Sequence, residues 1–570
     1  MGRSPNPTCI RYKSNLNLNL STFFLSNTSF MLVDDQTLSN MDGLIILVAL
    51  ISIIVYLLYA ISTKKFDYWK KKYVPFVKPL PVFGNYATYI LMQEYVGSVV
   101  QKLYQQFPNN PYFGTFYGTE PTLVVKSPEL LKHIFTKEFY YFNGREVSDH
   151  ETKEMVTQNL FSSSGDRWKV VRQNITPLFS SAKLKNMFHL IEKCCHVLED
   201  TLDLEISTID VIEAKDLMAR YTMDCVCSCG FGVEANTLQN PVNNPFKFMG
   251  DDIIKCTYVK GLKLIFRGIW PSILYGLRLN CFSENIFPFF LQMLKDVFKS
   301  RDYKPSARND FMDLLLNLNE EGVLKSDSLK NLKTGLDEKV YLKIDDELLA
   351  AQTTIFFAAG FDTTATTMSF VLYEFAKNPK VQNRAIKEVD EYLRRNNNKL
   401  TFECIKELPY LEACMYETLR IYPVIGNITR EVMDDCVLPD GLRLDKGVRV
   451  HIPAYSMHRD PDYFPEPEEY RPERFLPENK DDIKPYTFFP YGEGPRLCIG
   501  KYLDSWHSYN ILSIHQYPLL VDISHIRYFY LLKLSSSIHN DDMTKPLPRI
   551  QYMILRSSEY KNTSYDLKQN

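Results

Sequence analysis

The 570-residue chain lacks a dominant charge of either sign: 66 Lys and Arg stand against 68 Asp and Glu, a net −2. Without a basic surplus there is no electrostatic footprint for nucleic acid. It also lacks a disulfide framework. Its 12 cysteines are scattered from Cys9 to Cys498, which implies free thiols in a reducing compartment. Cys225, Cys227 and Cys229 form C-x-C-x-C but lack a nearby fourth ligand, so a zinc site is not expected and packing of small side chains on a helix is. The chain lacks a flavin or nicotinamide motif. Gly492-x-Gly494 has no strand-to-helix setting, so it is not read as a dinucleotide loop. His458-Arg459-Asp460 resembles a kinase catalytic loop, but Pro465 stands where that loop needs Asn. Global disorder is excluded, because apolar residues make up 45% of the chain.

One long hydrophobic run is present. Gly43 to Ile61 carries no charge, and as a helix it would be roughly 28 Å long, enough to cross a bilayer core. Asp34, Asp35 and Asp42 precede it, and Lys64, Lys65, Lys70, Lys71 and Lys72 follow. That asymmetry places the C-terminal side in the cytosol. No small-residue cleavage site stands out, so residues 43–61 are expected to be a retained transmembrane signal anchor. Residues 62–84, with Pro75, Pro79 and Pro81, are expected to form a stiff basic and proline-rich linker. Residues 1–40 are rich in Asn and Ser and show no periodicity. They are expected to be an atypical, disordered or non-native extension, with Met41 the natural start and sequons at Asn19 and Asn27.

From Asp345 to Lys377 the pattern is helical, capped by Asp345 or Asp346 and ended by Asn378-Pro379. Its middle, Ala358-Ala359-Gly360-Phe361-Asp362-Thr363-Thr364, breaks helix rules. An interior Gly costs about 1 kcal/mol and consecutive Thr are poor formers. Such breaks inside a strong element point to a functional site, where small residues admit a ligand and Asp362 and Thr363 can pass protons.

Downstream, Phe489-Pro490-Tyr491-Gly492-Glu493-Gly494-Pro495-Arg496-Leu497-Cys498-Ile499-Gly500 sets one cysteine in a glycine-rich loop. The glycines allow close approach of backbone to a flat macrocycle, and Arg496 can pair with a haem propionate. A thiolate ligand donates electron density to iron and favours O–O cleavage. Glu417 and Arg420 stand three apart on one helix face, and Pro472-Glu473-Arg474-Phe475 lies between them and the cysteine. Trp168 and Arg172 share another helix face in W-x-x-x-R.

These motifs together resemble those of the cytochrome P-450 monooxygenases, and the resemblance covers about Met41 to Gly500. It implies a mainly α fold with small β-sheets, the haem-thiolate fold of residues 85–500 behind an N-terminal transmembrane helix. Carried over residue by residue, it implies Cys498 as the axial ligand of haem b. Trp168, Arg172, Arg430 and Arg496 would hold the propionates, and Asp362 and Thr363 would deliver protons to dioxygen. Glu417, Arg420 and Arg474 would form the structural triad that locks the cysteine loop. The implied activity is insertion of one oxygen atom from O2 into an apolar organic substrate, as in animal microsomal members. Electrons would come from NADPH through NADPH–cytochrome P-450 reductase in the endoplasmic reticulum membrane, with the catalytic domain facing the cytosol. Two departures stand out. Tyr491 replaces the usual Phe, and residues 501–570 do not continue as the family's proximal helix. Gly500-Lys501-Tyr502 can be encoded by a splice-donor sequence, so 501–570 is expected to be a divergent tail that includes translated intron or comes from a wrong splice. The alternative this raises is a non-catalytic, haem-deficient membrane protein.

Overall fold

The computed structural model describes residues 35–208, 212–399, 401–402, 404–501, 527–529 and 550–552. It divides after Ile61 into two units. The first holds most of one helix, Asp35–Thr63, of 29 residues. This is longer at both ends than the apolar run Gly43–Ile61. It takes in residues 35–40 of the expected aperiodic extension, because a helix nucleated by an apolar run propagates cheaply into its flanks. Ile45 to Ile61 expose large apolar side chains all round, the surface of a helix suited to lipid. Two described helices are long and apolar enough to cross a membrane, Ile45–Lys71 and Asp346–Lys377. The second is half buried in protein and is a core helix.

Residues 62–84, the expected stiff linker, belong to the second unit. They pack into the second unit. Trp69 is fully buried, and its indole N–H donates to the Thr115 carbonyl at 2.8 Å. Phe76 bridges to Gly114, and Gly84 bridges to Tyr117. Gly84 sits at φ +61°, where a Cβ would collide with the Phe116 carbonyl. The prolines are tolerated because this segment lies at a sheet edge, where a missing N–H costs no ladder bond.

The second unit is mainly α with small sheets. The largest sheet orders Tyr112–Tyr117, Glu120–Val125, Arg449–Ile452 and Ile428–Glu431, with antiparallel, parallel and antiparallel pairs. Its second and third strands are buried almost throughout, with Leu123, Val124, Val125, Val450 and Ile452 in the core and buried Arg449 and His451 held by polar partners. The core helix, Asp346–Lys377, has 32 residues. Asp345 caps it by accepting from the Leu348 amide at 2.8 Å, and Asn378-Pro379 ends it. Its hydroxyls are satisfied internally: Thr353, Thr354, Thr363, Thr367 and Ser369 each donate to the carbonyl four residues back. That is how a Thr-rich helix can lie in a core without orphaned donors. Gly360 lets it approach helix Ala214–Val226, since a Cβ there would stand 2.7 Å from a Val226 methyl.

Helix Ala214–Val226 continues into a wider turn, Cys227–Phe231. Cys225, Cys227 and Cys229 are all buried on it, and burial pushes their thiols well above the ordinary range. They pack as small apolar side chains, as the sequence suggests. Two short strands, Arg527–Phe529 and Ile550–Tyr552, pair antiparallel. The rest of the region after Lys501, with the expected departure from a proximal helix, lies outside the described residues, as do residues 1–34.

Candidate active site

The cysteine loop folds on itself through backbone bonds. The Gly492 amide donates to Phe489 O, Leu497 to Gly494 O, and Cys498 to Tyr491 O, each at 2.9 Å. Gly492 and Gly494 have φ +76° and +71°. At Gly494 a Cβ would also collide with the Phe135 carbonyl. Both glycines are therefore demanded by conformation, and the second by close backbone approach as well. Cys498 is exposed at the end of this loop, whereas Cys194, Cys195, Cys225, Cys227 and Cys229 are buried.

Arginines surround it. Arg172, on helix Gly165–Ile175, donates to the Leu497 carbonyl at 2.9 Å and ties that helix to the loop. Arg496 is buried, donates to the Phe161 carbonyl at 3.4 Å and to the Ser163 carbonyl, and lies 4.7 Å from the centre of the Trp168 ring. Trp168 thus supports Arg496 from helix Gly165–Ile175. Arg430, on strand Ile428–Glu431, is buried and donates to Thr429 O at 2.9 Å. A fourth, Arg145, lies 3.9 Å over the Phe161 ring.

These charges feel one another. Burial, then repulsion from Arg145, pushes Arg430 down to about 9. Burial pushes Arg145 down to about 10, opposed by the Cys498 sulfur. Burial, then Arg145 and Arg430, pushes Arg496 well below its usual range. Burial also lowers Arg172, again opposed by Cys498. The Nε atoms of Arg145, Arg430 and Arg496 are buried without a hydrogen-bond partner among the described residues. Buried like charges with orphaned donors require an anion between them. A group carrying two carboxylates, with a metal for the thiolate, fits this donor set, and haem is such a group.

On the core helix, Ala359 is exposed and Thr363 partly exposed, between buried Phe357, Phe361 and Thr364. The Thr363 hydroxyl donates to Ala359 O at 2.6 Å. Asp362 faces helix Ala214–Val226 instead. Its carboxylate accepts from Lys215 Nζ at 2.7 Å, and that ammonium also donates to Asp362 O at 2.8 Å and to the Thr366 hydroxyl. Burial pushes Lys215 down, against the pull of Asp362.

The expected triad comes together. Glu417 and Arg420 are fully buried on helix Pro409–Ile421 and paired by two bonds of 2.7 and 2.8 Å. Arg474 Nε lies 3.5 Å from the same carboxylate, which also accepts from the Arg471 amide at 2.8 Å. The link to the cysteine loop runs through His458. Arg420 donates to the His458 carbonyl at 2.8 Å, and His458 Nε2 accepts from the Phe489 amide at 3.1 Å.

The sequence profile of the cytochrome P-450 family matches residues 74–513. The chain belongs to the cytochrome P-450 family. It is 36% identical over 464 residues to cytochrome P-450 6k1 of Blattella germanica, covering 80% of this chain and 87% of that one. It is 34% identical over 453 residues to cytochrome P-450 6B2 of Helicoverpa armigera, covering 79% and 87%. Cytochrome P-450 6a2 of Drosophila melanogaster is 33% identical over 462 residues, covering 79% and 89%. Membership in the P-450 family supports a monooxygenase role and implies haem with a thiolate ligand, a redox partner and hydrophobic substrates. The apolar N-terminal helix suggests membrane association. The non-catalytic alternative is not favoured.

Three residues of this P-450 site gave no signal in the sequence. Lys215 is 147 residues from Asp362. Arg145 sits in an irregular loop with no motif around it. His458 belongs to a tripeptide whose kinase resemblance fails, and its contact with Phe489 is purely tertiary.

Proposed function

We propose that this chain is a membrane-anchored haem-thiolate monooxygenase that acts on an apolar organic substrate, xenobiotic or endogenous. NADPH–cytochrome P-450 reductase is its electron donor, and the endoplasmic reticulum membrane, with the catalytic unit in the cytosol, is its location. The observation that carries the reading is the clustering of Arg145, Arg172, Arg430 and Arg496 near exposed Cys498, with the Nε donors of Arg145, Arg430 and Arg496 left in want of an anion. When bound, haem supplies reductive activation of O2, one atom going to substrate and the other to water.

The chain's own residues then have distinct tasks. Cys498 would supply the thiolate, and the arginines would pair with the propionates. Tyr491 O holds the Cys498 amide and so the direction of the sulfur. Thr363 releases its bond to Ala359 O and presents its hydroxyl as a proton donor on the substrate side. Asp362, held by Lys215, takes up protons from the solvent side. Glu417, Arg420 and Arg474 hold the loop through His458. The carbon monoxide difference spectrum of the reduced full chain tests this. A red-shifted thiolate-type band that is lost in Cys498→Ser is expected, and a protein without haem overturns the reading.

A further inference from the structure

The segment between His133–Lys137 and helix Gly165–Ile175 carries two neighbouring charges with different partners. Arg145 belongs to the cluster near Cys498 and lies 3.9 Å over the Phe161 ring. Glu146 meets the sheet, its Oε1 2.6 Å from His451 Nε2. Both flanks of the pair are pinned to strand Ile428–Glu431. The Glu431 amide donates to Gly144 O at 3.1 Å, and its carboxylate accepts from the Ser148 amide at 3.0 Å. Val147 is held at φ +67°, a left-handed conformation that a β-branched residue adopts only where its surroundings impose it.

Glu146 is held firmly on one side. His451 lies in mid-sheet, opposite Val124 on one neighbouring strand and Thr429 on the other, and is buried. Its Nδ1 stands 3.0 Å from the Tyr86 hydroxyl. Burial favours the neutral acid form of Glu146, but Arg449, the His451 hydrogen bond and Arg267 outweigh it and keep its pKa below the ordinary carboxylate range. An ionised carboxylate only accepts, so His451 Nε2 carries the proton and donates it to Oε1.

The other oxygen, Oε2, has no hydrogen-bond donor among the described residues. Glu146 nevertheless lies deep in the fold, with 20% of its side chain bare. Bare surface at that depth faces an interior space, and Arg145, the preceding residue, sets that space beside the site of Cys498. Next to the carboxylate, Tyr86 meets Tyr117 edge-on at 5.2 Å and His451 at 5.7 Å, so the surroundings are aromatic. A charged oxygen without a donor is costly in such a place. A ligand could relieve it, and the charges decide which kind. An acid would set a second carboxylate against Glu146. An ammonium would meet the field of Arg267 and Arg449, which already act on Glu146. A neutral hydroxyl supplies the missing donor and brings no charge.

We propose that Glu146 is a specificity-determining residue, its Oε2 accepting a hydrogen bond from a neutral hydroxyl on an otherwise apolar substrate. His451 and Tyr86 are positioning residues that fix the carboxylate for this contact. The inference rests on the monooxygenase reading for the oxidation itself and narrows its substrate class to apolar alcohols. The held oxygen also dictates what a conservative change does. In Glu146→Gln the His451 Nε2–H keeps the amide oxygen, so the amide NH2 faces the ligand and a donor stands where an acceptor stood.

Isothermal titration calorimetry of the full chain, with 4-tert-butylcyclohexanol and its methyl ether as probes, tests this, and the heat of binding can be read with or without haem. The wild type is expected to bind the alcohol about tenfold tighter than the ether, the effect of one charge-assisted hydrogen bond. In Glu146→Gln the ether is expected to gain affinity while the alcohol loses its advantage, and Tyr86→Phe lowers the ratio in the same direction. Equal affinities in the wild type, no binding of the alcohol, or a Glu146→Gln chain in which both probes weaken alike overturns the proposal. Should Glu146→Gln fail to fold, Tyr86→Phe, which removes one oxygen, decides, and an unchanged ratio sinks the idea. The carbon monoxide band of the same preparation reports the haem separately. A chain without haem that still prefers the alcohol supports the role of Glu146 while the monooxygenase reading fails.

Discussion

Acidifying the protein from about pH 7 to about pH 5 should weaken the seat of the cysteine loop through His458. The ring is fully buried, and its pKa is pushed from 6.5 down to about 3 by burial and then by the charges of Arg420 and Arg459. Only the neutral ring can accept from the Phe489 amide at Nε2. In the unfolded chain the same histidine protonates near 6.5. Below that pH the unfolded state therefore binds a proton that the folded state refuses. The histidine's effect on stability is flat above about 6.5 and falls by about 1.4 kcal/mol per pH unit between there and about 3. From neutrality to about pH 5 this amounts to about 2 kcal/mol. Urea unfolding, read by haem absorbance and tryptophan fluorescence, should be compared for the wild type and His458→Gln, whose amide oxygen still accepts but does not titrate. Groups common to both proteins cancel. The stability advantage of the wild type should shrink by about 2 kcal/mol over that interval. Parallel pH profiles would refute the assignment of a neutral, buried His458.

Other consequences are as direct. Glu417→Gln leaves Arg420 and Arg474 without their buried counter-charge and should lower stability by about 3–5 kcal/mol, read as a drop in Tm and in haem per protein. Gly360→Ala should cost about 1–3 kcal/mol through its clash with Val226, and Val226→Ala in the same chain should recover most of it in a double-mutant cycle. Thr363→Ala should keep haem but lower product per NADPH and raise peroxide release; unchanged coupling removes Thr363 from proton delivery.

What could be read from the sequence was what depends on neighbours along the chain. Asp345 caps the core helix and Asn378-Pro379 ends it because caps act within one turn. Gly492 and Gly494 announced a loop because they take positive φ values that other residues adopt only at a cost. Glu417 and Arg420 could be paired because a helix puts i and i+3 on one face. Lys215, His458 and Arg145 escaped because each acts on a residue that only the tertiary fold brings near. The packing of residues 62–84 escaped for a different reason. Prolines and lysines dominate the stretch by count, but Trp69 and Val74 dominate its energetics, since burying one aromatic side chain outweighs several solvated charges.

That buried tryptophan decides where the chain can be cut. Gly114 is a glycine beneath the Trp69 ring, where any Cβ would collide with the indole, so the sheet carries a slot shaped for it. Lys65 reaches Glu120, and Lys72 reaches Arg443 O and Asp445, stitching the same stretch to two distant parts of the fold. A preparation that trims the chain at the proline-rich stretch to be rid of the greasy helix would pull out this plug and leave an open hydrophobic socket. One trimmed at Ser62 would keep it. For a protease working on membranes, the useful target is correspondingly narrow, a few residues around Thr63, and nicks further along should yield aggregates in place of a soluble enzyme.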